Sequence, residues 1–225
     1  MEKAIMRPGG FPKRYTLGEE LVNAITHGLG TLLAAAGGTL MVASSAYQRD
    51  PYKLAGAIVY GAALLLLYLM STLYHSVASP RAKEVLRIFD HCSIFLLIAG
   101  TYTPFTLITL RQQGGWLLFG AIWAAAALGI TLNAIDLRRF EKVSVACYVA
   151  MGWAVLFHAR QLAAALSPAG LWLLVAGGVC YTAGILFYVI RKPYMHGIWH
   201  LFVLAGSVCH FLCVWWDVIG TGFRP

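Results

Sequence analysis

The chain has 225 residues, of which 60% are hydrophobic and 12% charged, with a mean hydropathy of +0.71 and a formal net charge of +8. Soluble domains carry about 25% charged residues, so this composition excludes a disordered chain, a collagen-like fibre and a secreted disulfide scaffold, and indicates an integral membrane protein. The basic excess does not point to nucleic acid, because the 17 Lys and Arg residues fall in the gaps between apolar runs, where they record membrane orientation.

A spanning helix takes ~20 apolar residues, and seven apolar runs account for most of the chain: 21–47, 54–77, 88–110, 116–135, 143–165, 171–190 and 194–219. The predicted fold is an all-α bundle of seven transmembrane helices, with a short cytoplasmic segment 1–20, a short external tail 220–225 and no separate soluble domain. Basic residues and Ala43-Ser44-Ser45-Ala46 flank the first run like a signal peptide, but its length and His27 mark it as a retained span. Short breaks such as Gln48-Arg49-Asp50-Pro51, Ser79-Pro80-Arg81 and Arg111-Gln112-Gln113-Gly114 carry loop chemistry. Within the runs, Pro104 should kink the third helix. Gly177, Gly178 and Gly184 should let the sixth approach a neighbour closely, and Trp116, Trp172, Trp215 and Trp216 should anchor span ends at the interface. All five cysteines lie in apolar stretches without a CxxC pair and read as small buried hydrophobes.

Orientation follows from the basic residues. Twelve fall on the side of the N-terminal segment, and five (Arg49, Lys53, Arg111, Arg160, Arg224) fall on the other. This places the N-terminus in the cytoplasm and the C-terminus outside.

Ionisable groups inside spans are expensive and usually functional. The second span ends with Ser71-x-x-x-His75, the third begins at Phe89-Asp90-His91, and the seventh begins with His196-x-x-x-His200. In the derived orientation all three lie at the cytoplasmic leaflet. Residues four apart share a helix face, so His196 and His200 can bind one ion, and His75 completes a three-histidine set with an open fourth position. Imidazoles favour zinc, copper, iron or nickel over magnesium or calcium, and zinc is the default. Asp90 could hold a water at the open position and take its proton, with Ser71 donating a hydrogen bond. The competing assignments are a helix N-cap for Asp90 and a bond to its own helix backbone for Ser71. Glu20, Asn23 and His27 share one face of the first span and read as a hydrogen-bonded stripe that fixes it against the bundle, with direct ligation of the ion as the alternative. His91 should point about 100° from Asp90, toward lipid headgroups, and His158 and His210 lie too far along the axis to join the ion.

All six lysines lie at span ends or in loops, which excludes a retinal Schiff base. A transporter would carry charges or broken helices at the midplane, whereas this cluster sits at one leaflet.

Glu20-x-x-Asn23-x-x-Thr26-His27, Ser71-x-x-x-His75, Phe89-Asp90-His91 and His196-x-x-x-His200 together resemble the hemolysin III family, the bacterial branch of the progestin and adipoQ receptor superfamily that includes the adiponectin receptors. The resemblance implies a zinc ion held by His75, His196 and His200, with Asp90 holding a water on it. It also implies ceramidase-like hydrolysis of a lipid amide, a role in membrane lipid composition, and residence in a bacterial inner membrane. The long N-terminal domain of the animal receptors is absent, so hormone reception is not carried over. Three functions follow in order of preference: a zinc-dependent hydrolase of acyl-chain lipids, a non-catalytic sensor of membrane lipid composition with a structural zinc, and a pore-forming cytolysin.

Overall fold

The computed structural model describes residues 15–220. The basic residues Lys3, Arg7, Lys13 and Arg14, most of the segment 1–20, and the tail 221–225 with Arg224 lie outside the described residues. Among the described residues every regular element is helical: α1 (Leu17–Tyr47), α2 (Pro51–Ser76), α3 (Pro80–Pro104), a π-helical turn Phe105–Thr109, α4 (Gly115–Trp153), a 3-10 turn Ala154–His158, α5 (Ala159–Ala165), α6 (Pro168–Val189), α7 (Met195–Cys213) and a final π-helical stretch Val214–Ile219.

Local sequence sets the starts. Thr16 and Glu19 form a reciprocal capping box that opens α1. Asp50 accepts from the Tyr52 and Lys53 amides ahead of α2, with Pro51 in the first turn, and Ser167-Pro168 repeats the device for α6. The third helix begins at Pro80, well before the apolar run at 88, so its first two turns carry Lys83, Glu84 and Arg87 as interfacial helix. Pro104 ends the regular α-helix and the chain continues as the π-turn. There the hydroxyls of Thr103 and Thr106 donate to the carbonyls of Ala99 and Tyr102, at 2.9 and 3.0 Å, and help satisfy the backbone around the proline.

Among the described residues, six helical stretches are long and apolar enough to cross a membrane: Leu17–Tyr47, Pro51–Ser76, Pro80–Thr109, Gly115–Ala165, Pro168–Val189 and Met195–Ile219. The difference from seven runs lies in the 51-residue stretch Gly115–Ala165, which joins the expected 116–135 and 143–165. It is interrupted at Asp136, whose backbone is extended (φ −157°, ψ 91°) and whose carboxylate accepts from the Arg138 and Arg139 amides as if starting a new helix. The chain turns back there. Ser144 Oγ donates to Asn133 Oδ1 at 2.5 Å, although eleven residues of continuous helix would separate those positions by ~16 Å.

The bundle packs α1 on α2, α2 on α3 and α6 on α7. Gly184 of α6 makes the last contact possible, since a Cβ there would stand 2.9 Å from the Cβ of Phe202. Tyr60, Tyr68, Phe95 and Met41 fill the centre. Leucines, Phe157 and the indoles of Trp116, Trp172 and Trp216 face outward, as a lipid-facing surface requires. All five cysteines are free. At the end away from the histidines, Lys53 Nζ donates to the Ile219 carbonyl at 2.7 Å and ties the end of the last helical stretch to the α1–α2 turn.

Candidate metal centre

The antiparallel course of the helices brings the start of α1, the end of α2, the start of α3, the break in α4 and the start of α7 to one end of the bundle. His75 sits in the last turn of α2, and His196 and His200 in the first two turns of α7. Their ligand atoms all lie within 4.8 Å of one another, which fits one ion. His75 and His200 are buried, and the Nε2 atom of all three rings is buried without a hydrogen-bond partner among the described residues. Buried polar atoms rarely stay unpaired, and three converging on one point form a group that could hold a cation.

The other ring nitrogens decide the protonation pattern. His75 Nδ1 lies 2.7 Å from Glu20 Oε2, and Lys83 Nζ sits 2.8 Å from the second carboxylate oxygen. With its charge held by Lys83, the carboxylate acts as acceptor, so Nδ1 carries the proton and Nε2 presents its lone pair. Thr26 does the same for His200. Its hydroxyl donates to the Val22 and Asn23 carbonyls at 2.8 and 3.0 Å, so at 3.3 Å from His200 Nδ1 it can only accept. Oriented imidazoles of this kind, backed by a carboxylate or hydroxyl, are characteristic of metal sites. Nitrogen donors suit zinc or another borderline transition metal, and the residues present fit that group.

The predicted stripe on α1 divides into separate roles. Glu20 and, at 3.5 Å, Asn23 Nδ2 touch His75 Nδ1, whereas His27 stacks flat on His200, ring centroids 3.5 Å apart. Asp90 is buried in the third turn of α3 and lies outside the three-histidine set. It is not the N-cap, a position held by Ser79. The Ser71 hydroxyl lies beside the Asp90 carboxylate and has no hydrogen-bond partner, in its own backbone or elsewhere, among the described residues.

Against known proteins, the profile of the family described as Haemolysin-III related matches residues 15–211, most of the chain. The chain belongs to the Haemolysin-III related family. It is 43% identical over 204 residues to "Hemolysin-3" of Bacillus cereus, covering 90% of this chain and 93% of that one. It is 41% identical to the "Hemolysin-3 homolog" of Bacillus subtilis (strain 168), covering 89% and 94%. More distantly, it is 30% identical over 158 residues to "Heptahelical transmembrane protein ADIPOR2" of Oryza sativa subsp. japonica, covering 60% and 69%. No solved structure matches.

In this Haemolysin-III related protein one cavity reaches the histidine cluster at His75, and a second is lined by His27 and Trp199, which pack against His200. A wide vestibule of ≈ 820 Å³ reaches His75 past Tyr15, Glu20, Tyr74 and Arg87. Burial raises the pKa of the Tyr15 phenol, which therefore stays protonated at the vestibule wall. A narrower, largely apolar cavity of ≈ 150 Å³ begins at Asp90 and His27 and runs along Ile94, Leu97 and Thr101 of α3. From Asp90 to Thr101 it spans ~16 Å of helix, and a further cavity of ≈ 110 Å³ shares Thr101 and continues to Leu118. His91 lines this interior, with its Nδ1 2.9 Å from the Arg87 carbonyl, and does not reach toward lipid headgroups. The reason is the early start of α3, which places residue 91 deep enough to be covered by Tyr148 of the returning half of α4. His158 and His210 stand apart from the cluster; His210 Nε2 bonds the Leu174 carbonyl at 3.0 Å. The supporting roles of Lys83 and Tyr15 carried no sequence signal beyond one basic and one aromatic residue near span ends. Thr26 was visible only as part of the family motif.

Proposed function

We propose that the protein is a zinc-dependent hydrolase that cleaves the amide or ester bond of an acyl-chain lipid at the cytoplasmic leaflet of a bacterial inner membrane, and so adjusts membrane lipid composition. The observation that carries this reading is a set of three histidines with bare Nε2 atoms beside an apolar cavity whose wall includes the buried carboxylate of Asp90 and His27, the ring stacked on His200. Seven spans accompany it. A stretch of 51 residues is ~76 Å of helix, more than twice the ~30 Å hydrocarbon core, and the turn at Asp136 divides it into two crossings. The basic residues near the vestibule, Lys83, Arg87 and Arg138, support a cytoplasmic site.

In this mechanism His75, His196 and His200 would hold the ion. Zinc at such a site supplies Lewis acidity, polarising a carbonyl and lowering the pKa of water toward ~7. The chain's own residues do the rest. The walls along Ile94, Leu97 and Thr101 receive the acyl chain and exclude water. Asp90 accepts the proton of the attacking water as its oxygen bonds to the carbonyl carbon. The same carboxyl returns that proton to the leaving nitrogen or oxygen as the carbon–heteroatom bond breaks. Ser71, whose hydroxyl lies beside the Asp90 carboxylate without another partner, turns to donate to it when substrate binds and so holds it in position.

The test is hydrolysis of purified lipid amides and esters by the detergent-solubilised protein and by its Asp90→Asn variant. Asp90→Asn retains the metal and loses roughly 10²–10⁴-fold in rate, the expected effect of a lost general base; Ser71→Ala loses less. Turnover unaffected by Asp90→Asn overturns the mechanism. A second reading, a sensor in which zinc is a structural clasp, draws on the ties to α1, α2 and α7 through Glu20, His75, Thr26 and His200. It gains if zinc-loaded protein turns over no lipid while Asp90→Asn restores lipid composition in a deletion strain. Lysis of liposomes by the purified protein would favour the cytolysin.

A further inference from the structure

Three hydrogen-bond donors on the vestibule wall are uncommitted among the described residues. Tyr15 precedes α1, Tyr74 sits in the last turn of α2 and Arg87 in the second turn of α3, and all three line the vestibule. The Tyr15 ring lies 5.1 Å from the His196 ring and 5.7 Å from His75, and the Tyr74 ring meets His75 edge-on at 4.5 Å. Neither phenol hydroxyl nor the Arg87 guanidinium has a hydrogen-bond or ion-pair partner among the described residues, and none of these polar atoms is sealed inside the protein. The Arg87 charge acts on both phenols, so the three donors face one space.

Two of the three vestibule carboxylates are spent elsewhere. Glu20 holds His75 and Lys83, and Asp136 accepts from the Arg138 and Arg139 amides. The third, Glu84, is exposed to water and makes no ion pair with Arg87. A guanidinium is always charged and phenols ordinarily keep their proton at neutral pH, so this part of the wall offers a fixed positive charge flanked by two O–H donors. Its complement is an anion with several acceptor oxygens. An ion on the three histidines would add positive charge beside Tyr15 and favour the same anion. Donors supplied by three chain segments suit the tetrahedral oxygens of a phosphate better than the two coplanar oxygens of a carboxylate, and arginine pairs with phosphate in bidentate fashion. At ≈ 820 Å³ the vestibule has room for a headgroup. Leu17 and Ile135 also line it, 77% and 72% exposed. That apolar rim fits a phosphate carried by a lipid rather than a free ion.

We propose that the vestibule is a binding site for the phosphate headgroup of an anionic phospholipid, held by the Arg87 guanidinium and the Tyr15 and Tyr74 hydroxyls. The site goes beyond the hydrolase reading and does not rest on it, because binding needs no turnover. A headgroup held there stands in the aqueous approach to His75.

The experiment uses the full chain, zinc-loaded and in neutral detergent, with a fluorescent phosphatidylglycerol displaced by unlabelled phosphatidylglycerol, diacylglycerol of the same chains, oleate or inorganic phosphate. Wild-type protein should prefer phosphatidylglycerol to diacylglycerol, which lacks the phosphate, by about tenfold or more, the order expected for charge-assisted hydrogen bonds. Oleate and inorganic phosphate should displace the probe more weakly than phosphatidylglycerol. Arg87→Gln should lose about tenfold in phosphatidylglycerol affinity with diacylglycerol unchanged. Arg87→Lys, which keeps the charge without the planar fork, should fall between the two. Tyr15→Phe and Tyr74→Phe keep their rings against His75 and His196 and should each lose about threefold, as for one neutral hydrogen bond. Zinc content and the lipid-free melting temperature should stay at wild-type values in all four variants, because none of the removed groups has a partner in the lipid-free protein. Unchanged phosphatidylglycerol affinity in Arg87→Gln would put the phosphate on the metal alone and overturns the site, as does diacylglycerol or oleate matching phosphatidylglycerol in the wild type. Inorganic phosphate matching phosphatidylglycerol overturns the assignment to a lipid. If Arg87→Gln does not fold, unchanged affinity in both phenylalanine variants overturns the proposal instead.

Discussion

Removing the Glu20 carboxylate should weaken metal binding without altering a single ligand atom. Glu20 Oε2 holds His75 Nδ1 at 2.7 Å, and this bond fixes both the ring's orientation and the tautomer that leaves Nε2 bare. In Glu20→Ala the ring regains rotational freedom and its second tautomer. Loss of such an outer partner costs 10–100-fold in affinity, or about 1.4–2.7 kcal/mol. The substitution isolates this effect, because Lys83 is left with the Tyr74 carbonyl at 3.0 Å and its side chain is 26% exposed, so no charge is stranded in the core. Thr26→Val makes the parallel change at His200. Its hydroxyl is a neutral acceptor at 3.3 Å, and charge-assisted bonds are about twice as strong as neutral ones, so the loss there should be smaller, roughly threefold to tenfold. Competition against a fluorescent zinc chelator gives the affinities. Thermal unfolding with and without excess zinc gives an independent measure, since the stabilisation by metal should shrink in the same order. Glu20→Ala with zinc affinity within a factor of two of wild type would refute the argument that the α1 acceptors set the ligand geometry.

The remaining expectations are direct. Alanine at His75, His196 or His200 should each abolish stoichiometric zinc and lower the melting temperature, because metal binding energy is folding energy, whereas His158→Ala and His210→Ala should leave zinc content unchanged; elemental analysis of the purified variants decides. Reporter fusions after residue 139 should report a cytoplasmic position and fusions at the C-terminus an external one, as the twelve-to-five distribution of basic residues requires; a cytoplasmic C-terminus would reverse the assignment of the vestibule.

Much of the centre is legible in the sequence because its signals are local. A four-residue spacing on one helix puts His196 and His200 on one face whatever surrounds them. The antiparallel course of consecutive spans places the end of α2 beside the starts of α3 and α7, which brought His75 into the set. What the residues on α1 do is not legible in the same way. Glu20, Asn23 and His27 share a helix face, and that face was recognised. Whether each meets His75, His200 or a cavity depends on the rotation of α1 against two other helices. Hydropathy misplaces His91 for a related reason: it starts the third helix at the apolar run, whereas Ser79-Pro80 starts it two turns earlier and residue 91 is covered by Tyr148 in the interior.

The sequence by itself determined the class of the molecule, its helices and the identity of the candidate ligands, since composition, 3.6-residue geometry and capping chemistry act over a few residues. Only the tertiary structure decided which nitrogens are bare, which acceptors hold the opposite ones, and where the apolar cavity runs. Those properties arise from α1, α2, α3, α4, α6 and α7 meeting in space, and distances of 2.7 to 3.5 Å between side chains many residues apart are set by packing, which no local pattern encodes.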